Sequence, residues 1–298
     1  MELKQITRNV YYLPNPTNIG VVKDDSGVIL IDSGLDEDVA KKVLRILEAE
    51  ELVPKAVINT HSHADHCGAD AWIKEKTKAK IFAPEIEADI IQHPQLEPFL
   101  LFSGADPIED LKNKFLMAKP CQVDYVIKNS ERKLTFDKIE LEVVPLPGHS
   151  LNQIGIEVDD VLFCADSVFS KNVLDRYKVP YVADVVKLKE TLALLNKSNY
   201  EYYVPSHAEP TNNITELVDI NLETAKIIEE YILAALSNKK TTEQVLKTVC
   251  DNFKLEIKTA QQYYLINTGI MAHLSSLHKR GVLKFGIKEN SVYWEKMR

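Results

Sequence analysis

His61-Ser62-His63-Ala64-Asp65-His66 follows the apolar stretch Lys55-Ala56-Val57-Ile58-Asn59-Thr60, so four metal-ligating side chains fall within six residues. Imidazole nitrogen and carboxylate oxygen suit zinc and similar borderline divalent ions, and a catalytic site needs several of them converging on one pocket. Side chains alternate along an extended segment. The reading is therefore that His61 and His63 face one way on a strand, while Asp65 and His66 sit on the turn that follows. Such a run could hold one metal or two side by side. A solvated polar loop between a strand and a helix is the plain alternative, but the eight histidines of this chain would rarely cluster so by accident.

Outward from the run, residues 6–13, 19–23 and 28–32 read as short strands punctuated by Pro14-Asn15-Pro16 and Asp24-Asp25-Ser26-Gly27. Residues 36–51 place Val39, Val43, Leu44, Ile46 and Leu47 at helical spacing, and the next strand delivers the histidines. Beyond the run, 69–76 reads as helix, 79–82 as strand, and 85–116 as a helical insertion that could form a lid. Strands at 123–126, 133–136, 139–144, 153–158 and 161–164 follow, then a helix over 185–195 and a strand over 202–204. Two strand-rich halves, each ending in helices, predict an α/β protein with two sheets face to face and helices outside.

The 298 residues, 45% hydrophobic and 27% charged, suit a core-bearing domain with a second, smaller unit. Nothing approaches the ~18 consecutive apolar residues of a membrane helix, and the N-terminus shows no export pattern, which predicts a cytoplasmic protein without membrane partners. Cys67, Cys121, Cys164 and Cys250 are too scattered for a disulfide framework or a zinc knuckle. The net charge of −8 disfavours wholesale attraction to nucleic acid. Residues 239–298, however, hold 11 Lys and Arg against 5 Asp and Glu, a net of +6 that leaves −14 on the rest. This tail reads as three helices and a hairpin around 286–290, after one long amphipathic helix over 214–237. Its end, a helix over 270–279 with Gly281 after it and then the strands, resembles the helix and wing of a winged-helix domain. A plain packing appendage fits the same residues equally well.

If the run holds metal, further ligands should stand at later strand ends. Pro147-Gly148-His149-Ser150, Phe163-Cys164-Ala165-Asp166-Ser167 and Pro205-Ser206-His207 each offer one. Singly, His149 and His207 could close loops and Asp166 could cap a helix. Together with the first run, and with Leu30-Ile31-Asp32-Ser33-Gly34 before it, they resemble the metallo-β-lactamase superfamily over about residues 1–210, with all five motifs in order. The resemblance implies an αββα sandwich with metals at one edge between the sheets, spanning 1–212. A linker helix and the small, mostly helical, winged-helix-like unit follow over 213–298. It also implies His61, His63 and His149 on one metal and Asp65, His66 and His207 on a second, with Asp166 bridging. Asp32, with Thr60, would stand behind the ligands and orient the loop. The cofactor implied is two divalent ions, zinc first, with iron or manganese as alternatives. Two departures remove no ligand: Ser150-Leu151-Asn152-Gln153 replaces a small-residue turn, and Ala165 stands where glycine is usual. Cys67 could add a soft ligand, though a small buried residue at a helix start is the simpler reading.

Two ions about 3.5–4 Å apart can activate water against a carbonyl or phosphoryl centre, with Asp65 placed to orient the nucleophile and take its proton. Three functions fit. The first is a hydrolase of thioesters, lactones or other acyl substrates, as in the glyoxalase II-like branch, acting on a small molecule. The second is a ribonuclease or phosphodiesterase that binds RNA through the basic tail, like the β-lactamase-like endoribonucleases. The third is an iron dioxygenase or other non-hydrolytic relative. Tyr263, Tyr264, Leu265 and Ile270 could instead serve packing or a homodimer contact.

Overall fold

The computed structural model of the chain describes residues 1–297; Arg298, the last residue of the expected C-terminal unit, lies outside them. Short β-branched runs open the chain as an antiparallel meander of β1 (Lys4–Gln5), β2 (Val10–Leu13), β3 (Ile19–Asp24) and β4 (Gly27–Ile31). The Asp36 carboxylate accepts from the Asp38 and Val39 amides and starts α1 (Glu37–Ala49), which buries Ala40, Val43 and Leu47. The chain then returns as β5 (Pro54–Ile58), parallel to β4. After it come α2 (Ala64–Cys67), α3 (Asp70–Thr77), β6 (Lys80–Pro84), α4 (Glu87–Gln92), α5 (Leu96–Leu101), a 3-10 turn at Glu109–Leu111 and β7 (Tyr125–Ile127). Strands β1 to β7 form one sheet in chain order.

The second sheet is built from β8 (Lys133–Phe136), β9 (Ile139–Pro145), β10 (Ile154–Val158), β11 (Val161–Phe169) and, after α6 (Lys171–Tyr177) and α7 (Val185–Lys197), β12 (Tyr202–His207). Its order is β12-β11-β10-β9-β8, antiparallel except where β12 lies parallel to β11. Val22, Ile29, Ile31 and Ile58 of the first sheet meet Leu141, Val143, Ile156 and Phe163 of the second in a dry core. Burying such a side chain fully contributes about 1.5–3 kcal/mol. Helices α1 and α3 cover the outer face of the first sheet, and α7 with α8 (Thr215–Ala235) that of the second. The αββα sandwich implied by the sequence is the architecture found.

Local expectations need correction. Strand β5 stops at Ile58, so the histidine run is a loop ending in the single turn of α2, and strand alternation does not set its ligand directions. Asp166 is not at a strand tip but inside β11, which continues to Phe169 because register shifts let its backbone bend and go on pairing with β12. Residues 85–116 hold only the short helices α4 and α5 and the 3-10 turn, with Pro94 breaking the chain between α4 and α5. All four cysteines are buried free thiols. No helix among the described residues is long and apolar enough to cross a membrane.

Within 239–297 there are two helices rather than three, α9 (Thr242–Phe253) and α10 (Ala260–Lys279), followed by the hairpin β13 (Leu283–Lys288) and β14 (Ser291–Lys296). Thr241 and Gln244 form a capping box on α9, and Glu289 and Asn290 turn the hairpin with left-handed backbones. The third helix of this core is α8: Ile228 and Ile232 pack with Val245, Val249, Ile270, Leu274 and Trp294, while Val218 of the same helix packs on the second sheet. Helix α10 is also held from the sandwich side. Tyr264 and Leu265 lie against Leu101, Leu111 and Leu116 of the insertion, and a Cβ at Gly269 would stand 3.0 Å from the Pro180 carbonyl oxygen.

Because α8 belongs to both cores, they should unfold together. Ile232→Ala is expected to cost about 2–5 kcal/mol and to lower a single urea transition followed by circular dichroism and tryptophan fluorescence. Two separate transitions would contradict the shared core.

Candidate metal centre

The cluster is assembled at the ends of the strands by a few buried hydrogen bonds. Where β4 ends, Asp32 takes a left-handed backbone (φ 61°) that aims its carboxylate across to the run. There it accepts from the Thr60 amide (2.8 Å) and the Thr60 hydroxyl (2.9 Å) and lies 2.8 Å from His66 Nδ1. The Thr60 Oγ1 is also 3.1 Å from His61 Nδ1. With their Nδ1 atoms so engaged, both rings can offer Nε2 to the interior. Thr60 and Asp32, expected behind the ligands, stand there.

On the other half, Gly148 adopts φ +133°, and a Cβ there would be driven to 2.4 Å from the Leu188 amide nitrogen, so the chain turns sharply enough to project His149 only with glycine. Its Nε2 comes within 2.9 Å of His63 Nδ1, which is 3.0 Å from His61 Nε2. Three ring nitrogens crowded at this spacing match ligands each about 2 Å from one shared ion. Beside them Asp65 Oδ2 lies 3.7 Å from His66 Nε2 and 3.3 Å from His207 Nε2. Asp166 stands between the two groups, 3.3 Å from the Nε2 atoms of His66, His149 and His207. All seven expected ligands thus come together and could hold metal as the sets His61/His63/His149 and Asp65/His66/His207, with His61, His66 and Asp166 joining them. His66 Nε2 and Asp166 Oδ1 are buried and make no hydrogen bond. Buried polar atoms are normally partnered, and a cation would satisfy both lone pairs.

Charge divides the cluster in two. Burial, reinforced by neighbouring imidazoles, pushes His61 well below the usual histidine range, and burial takes His149 down to about 3, so both rings are neutral and ready to donate lone pairs. For His66 burial acts downward too, but Asp166, Asp32 and Asp65 outweigh it and raise the ring well above its ordinary value. Likewise Asp166 and Asp65 overcome burial at His207 and lift it to about 10. In return the imidazoles hold Asp65 and Asp166 below the carboxylate range against the opposing effect of burial.

Several residues of the site escaped the sequence reading. The Thr17 hydroxyl donates to Asp65 Oδ2 (2.7 Å), and His207 Nδ1 lies 2.7 Å from the Pro16 carbonyl. Pro16, in the Pro14-Asn15-Pro16 stretch read as punctuation, and Thr17 after it are therefore part of the centre. Glu87 is buried and ties the two ligand loops: Oε2 accepts from the Ser62 amide and hydroxyl (3.1 and 2.6 Å), and Oε1 from the Ser150 hydroxyl and Asn152 amide (2.7 and 3.0 Å). Tyr181 sets its ring edge-on to His63 and His149, and its carbonyl lies 3.2 Å from His149 Nδ1. Phe169 stacks on His207. Cys67 points away, its thiol donating to the Ser62 carbonyl (3.2 Å) from within the core. A cavity of about 20 Å³, room for one water, is lined by His149, Asp166, Tyr181, Asn221 and, on α10, His273.

Comparison with known proteins agrees with this geometry. The model of the metallo-β-lactamase superfamily matches residues 12–207. A hydroxyacylglutathione hydrolase of Shewanella loihica is 26% identical over 237 residues, 78% of this chain and 75% of that protein, and one of Psychromonas ingrahamii is 26% identical over 66% of this chain and 63% of its own length. Among solved structures, a metallo-β-lactamase family protein of Thermus thermophilus superposes with a TM-score of 0.74 at 19% identity, covering 98% of this chain and 99% of that one. A β-lactamase domain protein of Burkholderia ambifaria gives 0.72 at 17% identity, covering 99% and 93%. At these identities the superpositions speak for the fold, including the helices and hairpin after residue 212. Matched by its family model over most of its length, the chain belongs to the metallo-β-lactamase superfamily of metal-dependent hydrolases.

Proposed function

We propose that this protein hydrolyses small activated acyl substrates, thioesters foremost, with two divalent cations, zinc by preference. The observation that carries the two-cation reading is the shared carboxylate: Asp166 lies 3.3 Å from a nitrogen of each ligand set, and one of its oxygens is buried without a hydrogen bond. The thioester reading is supported by the hydroxyacylglutathione hydrolases among the relatives. Bound there, the cations would supply an acidified water and a Lewis acid for the developing oxyanion.

The chain's own residues do the rest. His61, His63 and His149 would hold the first ion, Asp65, His66 and His207 the second, and Asp166 both. The Thr17 hydroxyl fixes the Asp65 carboxylate with Oδ2 facing His66 and His207, where it would stand to orient the attacking water and receive a proton. Tyr181 and Phe169 wall the cluster with aromatic surface that limits water around the reacting carbonyl.

The RNA-cleaving alternative draws on the +6 of residues 239–298. One observation weighs against it: α10, the helix that a winged-helix reading would lay on nucleic acid, is packed between its own core and the insertion. If RNA nonetheless binds, Lys284→Glu with Lys288→Glu, both exposed on the hairpin, should weaken low-salt binding in filter assays. No change would leave the hairpin without that role.

Metal analysis of the purified chain should find two zinc ions. In a panel of thioesters, lactones and phosphodiesters, thioester turnover should dominate. Asp166→Ala should reduce it to background, and Asp65→Asn should lower kcat by about 10²–10⁴-fold. Full activity in Asp166→Ala would sink the shared-carboxylate reading.

Zinc uptake should also be proton-linked at the second position. His207 is raised to about 10 and so is protonated at pH 7, whereas His149, at about 3, is not. The second ion must displace the protons of both His66 and His207, so its affinity should rise with pH between 6 and 9 more steeply than that of the first, as calorimetry in buffers of different ionisation enthalpy would show.

A further inference from the structure

Helix α5 faces the interior with Leu101 and Pro98 but also with an acid. It exposes Phe99 (40%) and Leu100 (57%) to solvent while Glu97 is largely buried (8% exposed). Burying a carboxylate is costly unless it is paired. Glu87, its counterpart on α4, is compensated by four donors, yet Glu97 has no hydrogen bond from the protein. The one cation-forming group within 4 Å of it, among the described residues, is His63, whose Nε2 stands 3.9 Å from Glu97 Oε1.

The three histidines of the first set differ in one respect. The outer nitrogen of His61 is engaged by the Thr60 hydroxyl and that of His149 by the Tyr181 carbonyl. His63 turns Nδ1 toward the other two rings, so its outer nitrogen is Nε2, which has no hydrogen bond and faces Glu97. We propose that Glu97 is the positioning carboxylate of the first metal position, the acceptor for His63 Nε2–H when Nδ1 is bound to a cation. A ring that donates its Nδ1 lone pair must carry its proton on Nε2, and a carboxylate facing that proton fixes the tautomer and raises ligand basicity. A side-chain movement of ~1 Å brings the pair to the ~2.8 Å of a charge-assisted hydrogen bond. The contact also ties α5, with Phe99 and Leu100, to the metal. The inference rests on the cation reading of the site and not on the choice of thioester.

The test is zinc competition titration on the full chain, with the first step assigned by its loss in His149→Ala and the second by its loss in His207→Ala. Glu97→Leu removes the acceptor at similar size, and Glu97→Gln keeps a neutral acceptor. First-step affinity is expected to fall about 10–100-fold in Glu97→Leu and less in Glu97→Gln, with the second step unchanged. The absorption bands of cobalt at the first position should shift in parallel. First-step affinities within twofold of wild type in both variants overturn the proposal, as does a loss of thermal stability or a raised KM without a change in zinc affinity. A wild-type chain that takes up no zinc overturns the cation reading itself.

Discussion

Asp32 makes the contacts on which the rest of the centre depends. Its two carboxylate oxygens hold the Thr60 amide, the Thr60 hydroxyl and His66 Nδ1, and through Thr60 they reach His61. One buried carboxylate thus sets the path of the loop leaving β5 and the orientation of two rings that fall in different candidate ligand sets. Glu87 performs the corresponding task between the halves, joining Ser62 beside the histidines to Ser150 and Asn152 beside His149. Ligands from both sheets can therefore be held close together because two carboxylates, not the cations alone, fix the loops that carry them. Buried charges with three and four donors are of the fully satisfied kind that rigidifies a site.

The same region stores backbone strain. Asp32 (φ 61°) and Ala165 (φ 50°) both adopt left-handed conformations, and neither is glycine. Each such residue costs on the order of 1–3 kcal/mol, tolerable only where surrounding structure enforces it. At Asp32 the return is the carboxylate's aim. At Ala165 it is the bulge in β11 that turns Asp166 into the cluster while β11 goes on pairing with β12. A left-handed backbone there favours glycine, and alanine, with the smallest side chain after it, meets the least additional strain.

How much of this could be read from the residues follows from the range of each interaction. The sandwich was legible because each sheet is assembled from sequence neighbours: seven strands in chain order, then five, with the helical periodicity of 36–51 unmistakable. The seven candidate ligands that the fold brings together were legible because each belongs to a short motif, although Asp166 proves to lie inside β11 and not at its end. Thr17, Glu87, Glu97 and Tyr181 were not. Each lies against a candidate ligand or its loop far away along the chain, and their local sequence reads as a turn, a polar helix or a loop. Glu97 ran against the usual pattern, since a carboxylate beside Phe99 and Leu100 would ordinarily be the solvent-facing residue of that helix. The end of β5 at Ile58 was missed for a related reason: Asn59 and Thr60 extend a β-prone run, but the Thr60 amide turns to the Asp32 carboxylate and not to a neighbouring strand.

The C-terminal unit acquires its meaning from the segment between α6 and α7. Val179 is buried in the core of α8, α9 and α10, Pro180 lies against Gly269 of α10, and Tyr181 offers its carbonyl to His149. Ala183 and Asp184 then bond back to the Gly148 carbonyl. A ligand histidine of the sandwich is thus braced, through a short stretch of loop, by helices that contribute no ligand. Such bracing requires α10 to pack tightly against the sandwich, and the absence of a side chain at Gly269 is what permits the approach. A unit whose helix is engaged in this way is placed to support the geometry of the centre, while its hairpin and the outer face of α9 stay exposed.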